Sequence, residues 1–460
     1  MERPNAWKAY EEKDLAQVKA IGEDYRQMLS QGKTEREWTR ALIARLEKAG
    51  YVNLDQVIAE NRALTAGDKV YANRMGKAVL SFHLGEDALE KGMNIVGAHI
   101  DSPRLDLKQN PLYEDADMAY GDTHYYGGIK KYQWVARPLA LHGVVAKKDG
   151  AVVDLVIGEK EDDPVVGISD LLPHLAMDQM GKKMSEGVSG EDLDLILAGQ
   201  PLKGAEKEAV KATLLQILKD EYGMEEEDFI SAEIEVVPAG PARDFGLDRS
   251  MILGYGHDDR VCAYAELKAI EGIDHTPKAT VCGMFVDKEE IGSVGATGMR
   301  ANYLENAVAE ILNLLGDYSE LKVRRALQNS RMLSCDVSAG FDPLYASAFE
   351  KKNAAYLGRG VCFNKFTGSR GKSGSNDANA EFMGKLRGIM DKNQVRWQTA
   401  ELGKVDVGGG GTIAYICALY GMEVIDSGVA VLSMHAPAEI ISKADLYEAV
   451  KAYQAFMLEA

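Results

Sequence analysis

The sequence predicts an α/β protein whose central sheet is mixed and largely parallel, interrupted by an inserted β-rich module. Three observations carry this. Past residue 246 helical and strand patterns alternate, the mark of a parallel layer covered by helices. Met93 to Ile100 is a continuous rather than alternating apolar run, as expected for a strand covered on both faces. Between the two, from about Pro103 to Phe245, the texture becomes hairpin-like: within Gly143 to Gly158 the turn dipeptide Asp149-Gly150 separates two β-branched stretches. The expected division is one discontinuous domain, residues 1–102 and 246–460, and an inserted domain, residues 103–245.

The elements follow in order. Thr34 and Glu37 have capping-box spacing ahead of a helix that carries Trp38, Leu42, Ile43 and Leu46 on one face and closes at Gly50. The insertion holds a helix-like stretch from Ala205 to Tyr222 and a strand from Glu233 to Val237, and leaves through the Pro/Gly-rich PAGPARDFG. Beyond it, Val261 to Ile270 reads as helix, Thr280 to Val286 as strand, Asn306 to Leu315 as helix and Met332 to Val337 as strand. EVIDSGVAVLSMHAPAE is a strand leading into a turn, and a last helix starts at Asp445.

Composition narrows the function classes. At 460 residues, 46% hydrophobic, the chain can bury a sizeable core without staples. Its five cysteines are an odd number with no CxxC pair, which excludes a disulfide scaffold and points to buried thiols in a reducing compartment. With 53 Lys and Arg against 71 Asp and Glu, the net charge is −18, and no basic stripe interrupts it, so nucleic acid is not an expected partner. The longest apolar run, Ile413 to Met422, is about half a bilayer span, and MERPNAWKAYEEKD lacks the apolar core of a signal peptide. The expectation is a cytoplasmic protein without a membrane partner. Glycine, 46 in 460, exceeds the usual share of about 7%, and many glycines flank His, Asp and Glu.

Five segments present metal-type ligands beside turns: GAHIDSP, GHDDRV, DKEEIGS, SCDVSAG and SMHAPAE. Four lie where a predicted strand runs out, the end at which open α/β sheets bind ligands, and the fifth opens a helix. Singly each has a plainer reading. His99 could be a hydrogen-bonded core imidazole, Asp258-Asp259 an N-cap with a first-turn acid, Glu289-Glu290 a solvated pair, Asp336 a turn residue and His435 a structural ring. Together, two histidines, three acids and one bridging carboxylate suffice for two metals about 3.5 to 4 Å apart, with zinc suited to imidazole and carboxylate. Adjacent Glu289 and Glu290 point in different directions, so one can bind metal while the other faces substrate. Two other motifs fall away. GSRGKSG has Phe366 where a phosphate loop needs glycine, and GGGG at Gly408 to Gly411 lacks a following lysine, leaving close backbone approach near substrate or metal as its reading.

In GAHIDSPRL, HDDRV, DKEEIGS, LSCDVS, DVGGGGTIA and VLSMHAPAE, taken in this order from residue 97 to 439, the sequence resembles the M18 metallopeptidases, the aspartyl-aminopeptidase group of co-catalytic di-zinc aminopeptidases. The resemblance implies a di-zinc aminopeptidase-type catalytic domain and an insertion that serves dimerisation. It implies that His99, Asp258 and Asp336 hold one zinc while Asp258, Glu290 and His435 hold the other, Asp258 bridging. Asp101 would accept the second N–H of His99 and Glu289 would be the general base. The family commonly reads Leu-Asp-Asn where this chain has His257-Asp258-Asp259-Arg260, so Asp258 is chosen over Asp259 by the helix that follows. His257, Lys365, Gly409 and Gly410 are the candidate substrate contacts, and His174 would approach a neighbouring subunit's site; a structural role for His257 and a capping or core role for His174 stay open. Lys365, Arg370 and Lys372 could receive an acidic side chain or form a solvated basic loop.

The expected activity is removal of the N-terminal residue from short peptides, with an acidic preference implied by the family name. Two divalent ions per subunit are expected, zinc first, with cobalt or manganese compatible with the same ligands. A homo-oligomer, in the family a tetrahedral dodecamer, is implied. The alternatives are a di-zinc deacylase or carboxypeptidase of related fold and an inactive assembly protein; the latter would lack a ligand or the base, and all are present.

Overall fold

Three apolar strands lie side by side and parallel in the middle of the larger sheet: Thr280–Val286, Met93–His99 and Arg331–Cys335. The computed structural model describes residues 3–368 and 370–460. Among the described residues the sheet has nine strands. Val52–Asn53, Lys69–Arg74 and Ala78–His83 extend it on one side, and Glu423–Gly428, Val361–Asn364 and Trp397–Thr399 on the other. Five of its pairings are parallel and three antiparallel, a mixed and largely parallel sheet as the alternating pattern predicts. Every residue of Met93–His99 and of Thr280–Val286 is buried, which explains why neither shows polar alternation.

Helices cover this sheet. His257–Glu271 is buried almost throughout and meets Lys443–Glu459, whose Ala449 and Ala452 are fully buried small residues that allow close approach. Arg260, also fully buried, has its guanidinium tied to carbonyls: Nε donates to Ile100 at 3.0 Å and Nη2 to Lys33 at 2.7 Å. Thr34 caps Glu35–Lys48 as predicted, with the reciprocal bond from its own N–H to Glu37. A second sheet, in the order Arg243–Phe245, Met251–Gly254, Glu439–Ser442, Ala430–Leu432 and Ser338–Ala339, completes this part of the chain.

By its contacts the chain forms two compact units. One runs up to Asp101 and includes Ala242–Met434 and Glu439 onward; the other comprises Ser102–Pro241 and His435–Ala438. The second unit contains an antiparallel sheet in the order Val152–Ile157, Leu139–Ala146, Ala232–Pro238, Arg104–Asp115, Met118–Tyr126 and Leu195–Ala198. Gly150, at φ +89°, turns the Leu139–Ala146/Val152–Ile157 hairpin where Asp149-Gly150 predicts it. The helix expected from Ala205 begins at Ala209, and Arg243–Phe245, which reads as part of the Pro/Gly-rich exit, pairs instead with Met251–Gly254. All five cysteines are free and buried, Cys335 among them. Among the described residues no helix is long and apolar enough to cross a membrane.

Gly428 closes the Glu423–Gly428 strand with the backbone of Asp336 against it: a Cβ at this position would lie 1.9 Å from the Asp336 carbonyl oxygen. Gly428→Ala is expected to displace that backbone and cost about 1 to 3 kcal/mol, the usual range for overpacking. Denaturant titration of the variant checks this; a midpoint equal to the parent's contradicts it.

Candidate metal centre

The three central strands end flush. Val286 pairs with His99 and Ser334 with Gly97, so the segments after their carboxyl ends emerge together at strand spacings of about 4.8 Å. His99 is the last residue of its strand, Asp336 follows Cys335, and Glu289 opens the turn Glu289–Ile291. That turn is entered through Lys288 at φ +66° and left through Gly292 at φ +91°. Asp258 arrives from the other side, at the start of His257–Glu271, after Gly256 at φ +77°. The Asp258–Asp259 peptide bond is cis, and both residues have non-helical backbone angles, so the regular helix begins beyond them. A helix start favours negative charge. The Asp258 N–H donates to Glu439 Oε2 at 3.1 Å.

Around His99 the donors converge. Its Nε2 lies 3.2 Å from Asp258 Oδ1 and 4.0 Å from Glu289 Oε2. Ligand atoms of His99, Asp258 and Glu290 all lie within 4.8 Å of one another, and so do those of His99, Glu289 and Asp336. Asp101 organises the group. Its carbonyl oxygen is 3.0 Å and its carboxylate 3.3 Å from His99 Nδ1, and both acceptors call for the proton on that nitrogen, which leaves Nε2 for a cation. Its two carboxylate oxygens also accept the backbone N–H groups of Glu289, at 3.1 Å, and Glu290, at 3.2 Å.

The electrostatics favour a cation here. Burial pushes the Asp336 carboxyl well above the usual range, and repulsion from Asp258, Glu289 and Asp259 adds to it. Asp259 is pushed up as well, by burial first, with Asp258 adding and His99 opposing. Burial opposes a charge on His99, yet the contacts with Asp101 and Asp258 raise its pKa well above the ordinary imidazole value. Imidazole and clustered carboxylates are the donor types a zinc-like ion takes, so the residues fit a divalent metal.

The remaining candidates are placed differently. His435 is counted with the Ser102–Pro241 unit, and its Nδ1 faces the Gly128 carbonyl at 3.0 Å. His257 is corrected from a substrate contact to a packing residue. It is fully buried, Tyr25 Oη lies 2.7 Å from Nδ1 and the Ile252 carbonyl 3.2 Å from Nε2, and burial lowers its pKa to about 3. His174 is exposed, which corrects the core reading. Lys365 and Lys372 both pair with Asp377, at 2.8 and 3.0 Å, so the basic loop is partly neutralised from within. In the glycine run a Cβ on Gly408 would lie 1.6 Å from the Leu402 carbonyl oxygen and the Gly410 N–H donates to Thr367 at 3.0 Å, while a Cβ on Gly411 would meet open space and Gly408 also lines a hollow with Arg370, Lys372 and Lys404. Gly409 stands at φ +119° beside them.

Three buried groups have no counterpart in the sequence reading. Glu439 sits in the VLSMHAPAE motif, but nothing in its spacing says that it holds the Asp258 backbone. Asp426 is raised to about 7, by burial first, with Thr412 and Ser334 opposing and Glu289 adding. It lies inside the sheet with Ser334 Oγ 3.5 Å away, a buried setting that a strand pattern does not foretell for a carboxylate. Arg260, present in the sequence reading only as part of HDDRV, is a fully buried brace.

A mixed α/β sheet with an imidazole–carboxylate cluster at the carboxyl ends of its central strands is the arrangement of a metal-dependent enzyme. A family model described as aminopeptidase I zinc metalloprotease, M18, matches residues 28–457, and the chain belongs to that family. A Clostridium acetobutylicum protein described as a probable M18 family aminopeptidase 1 is 57% identical over 457 residues, which are 99% of this chain and 98% of that one. The crystal structure of an M18-family aminopeptidase from Thermotoga maritima is 46% identical, with a TM-score of 0.95 over 100% of both chains. The S. cerevisiae mApe1 dodecamer structure shares the fold at 20% identity, with a TM-score of 0.77 over 95% of this chain and 96% of that one. The protein is thus a metalloaminopeptidase, a hydrolase acting on N-terminal residues.

Asp101 touches the imidazole and both glutamate N–H groups, so Asp101→Asn is expected to loosen the His99 ring and the Glu289–Glu290 turn together. Metal affinity should fall by about 10 to 100-fold, the usual effect of losing a ligand's hydrogen-bond partner. Competition with a chelator measures it, and unchanged affinity contradicts the assignment.

Proposed function

We propose that the enzyme cleaves the N-terminal peptide bond at a two-metal centre that His99, Asp258, Glu290, Asp336 and His435 would hold, with Asp258 the ligand the two ions would share and Glu289 as general base. The convergence of His99, Asp258, Glu289, Glu290 and Asp336 carries the reading. Zinc is the ion the donor set and the family favour. When bound, such ions act as Lewis acids toward the scissile carbonyl and lower the pKa of water at the site.

Glu289 does the proton work. Its side chain is 16% exposed, enough to meet a substrate, and it sits 4.0 Å from His99 Nε2. It takes a proton from the attacking water and returns it to the leaving amine, so that the amine departs neutral. Asp101 keeps the carboxylate in place through the Glu289 N–H, and the same oxygens hold Glu290. Asp258 is kept from swinging away by the bond from its N–H to Glu439.

An acidic N-terminal residue is the preference proposed. Arg370 and Lys404, with Lys372 already paired to Asp377, line a hollow of about 220 Å³ together with one acid, Glu401, and leave a modest positive surplus for a carboxylate side chain. A homo-oligomer is proposed as well. In the inserted unit Leu175, Met177, Met180 and Met184 are between 68% and 82% exposed, and an apolar run of this kind is characteristic of a contact surface. Sedimentation velocity should give a species of at least two chains; a monomer at micromolar concentration overturns that part.

The test of the function is a panel of amino-acid anilides with defined metals. Asp and Glu anilides should exceed Leu, Met and Lys in kcat/KM, N-acylated amino acids should stay intact, and a chelator should abolish turnover until zinc is restored. A lead for Leu or Met removes the acidic preference and leaves the aminopeptidase. Glu289→Gln should keep both ions by elemental analysis and lower kcat by about 10² to 10⁴-fold, the range for a lost general base; near-normal turnover eliminates Glu289 as the base.

A further inference from the structure

Among the described residues Trp397–Thr399 is an edge strand of the large sheet, and Glu423–Gly428 and Val361–Asn364 separate it from Arg331–Cys335. A cavity of about 630 Å³ lies beside it, within the range typical of small-molecule sites. Its wall carries Arg3, Lys351, Lys352, Arg359 and Arg387 and, among the described residues, no acid. In a chain with 71 acids to 53 bases this is a local inversion of charge.

The cations are arranged rather than scattered. The Arg3 guanidinium sits 3.8 Å from the Trp397 ring centre and that of Arg359 sits 4.1 Å from the Tyr356 ring centre, so two planar forks rest on aromatic supports. Gln398, buried in the edge strand, fixes the support: its Oε1 accepts the Tyr356 N–H and its Nε2 donates to the Tyr356 carbonyl, both at 2.9 Å. Among the described residues Arg3, Lys351, Lys352 and Arg387 make no ion pair. A neighbouring hollow of about 250 Å³ shares Arg3, Arg359 and Trp397 and adds Arg396; the acid on its wall, Asp391, accepts the indole N–H at 3.0 Å.

We infer that this cavity is a binding site for a small polyphosphate anion, distinct from the peptidase centre. Guanidinium forks pair with phosphate oxygens through two parallel N–H bonds, and the two lysines add point charge. One carboxylate would leave most of Arg3, Lys351, Lys352 and Arg387 unanswered, whereas a chain of two or three phosphates answers them within the available volume. Inorganic triphosphate and the triphosphate of a nucleotide present the same chemistry.

Equilibrium dialysis of the metal-loaded enzyme with inorganic triphosphate tests this, with metal content measured afterwards so that any stripping is seen. One equivalent per chain is expected, and the Arg3→Ala/Arg387→Ala variant should bind at least about tenfold more weakly while its anilide hydrolysis without the anion is unchanged. Displacement by ATP at lower concentration than triphosphate identifies a nucleotide as the source; failure of ATP to displace it leaves the free polyphosphate. Equal binding by parent and variant, displacement by sulfate at matched ionic strength, or no binding at about 1 mM overturns the inference.

Discussion

Like charges have to be held together in a dry place, and the architecture follows from that. Asp258, Glu289, Glu290 and Asp336 surround one imidazole. Two such charges 4 Å apart repel by about 4 kcal/mol at an effective dielectric of 20. Carboxylates on flexible loops would separate. Here they sit at the flush ends of parallel strands whose residues are buried on both faces, and the one that comes from a helix start is held through its N–H by Glu439. Rigidity of the sheet is thus a condition for the cluster, and the cluster's repulsion becomes attraction for a cation.

Asp101 shows how few groups this takes. One residue fixes the imidazole through Nδ1 and, through its two carboxylate oxygens, the backbone of the adjacent glutamates. Neighbours in a chain point apart, so holding the backbone at both N–H groups sets two side chains with different tasks. Placement of the two glutamates is therefore a single event rather than two independent ones.

How much of this can be read from sequence depends on range. Met93 to His99 and Thr280 to Val286 are legible because a buried parallel strand is a continuous apolar run, and a His or Glu just past its end stands out. Asp258 stands out only beside the helix that follows it. His257 does not: a ring at a helix start gives no sign that Tyr25, 232 positions away in the chain, will bury it and occupy Nδ1. Arg260 and Glu439 escape for the same reason, since their partners come from remote segments. The cationic cavity is invisible for a stronger one, being assembled from residue 3, residues 351–359, Arg387 and the Trp397 edge strand, none of them a motif by itself.

The spread of the cluster along the chain bears on when the enzyme becomes active. His99 emerges early in synthesis, but Asp258 and Asp336 follow far later, and Glu439, which braces Asp258, lies just ahead of Lys443–Glu459, the helix that packs on His257–Glu271. Contacts of such long separation form only once the intervening chain exists. A centre drawn from segments this far apart in the chain cannot assemble until the last of them has been synthesised.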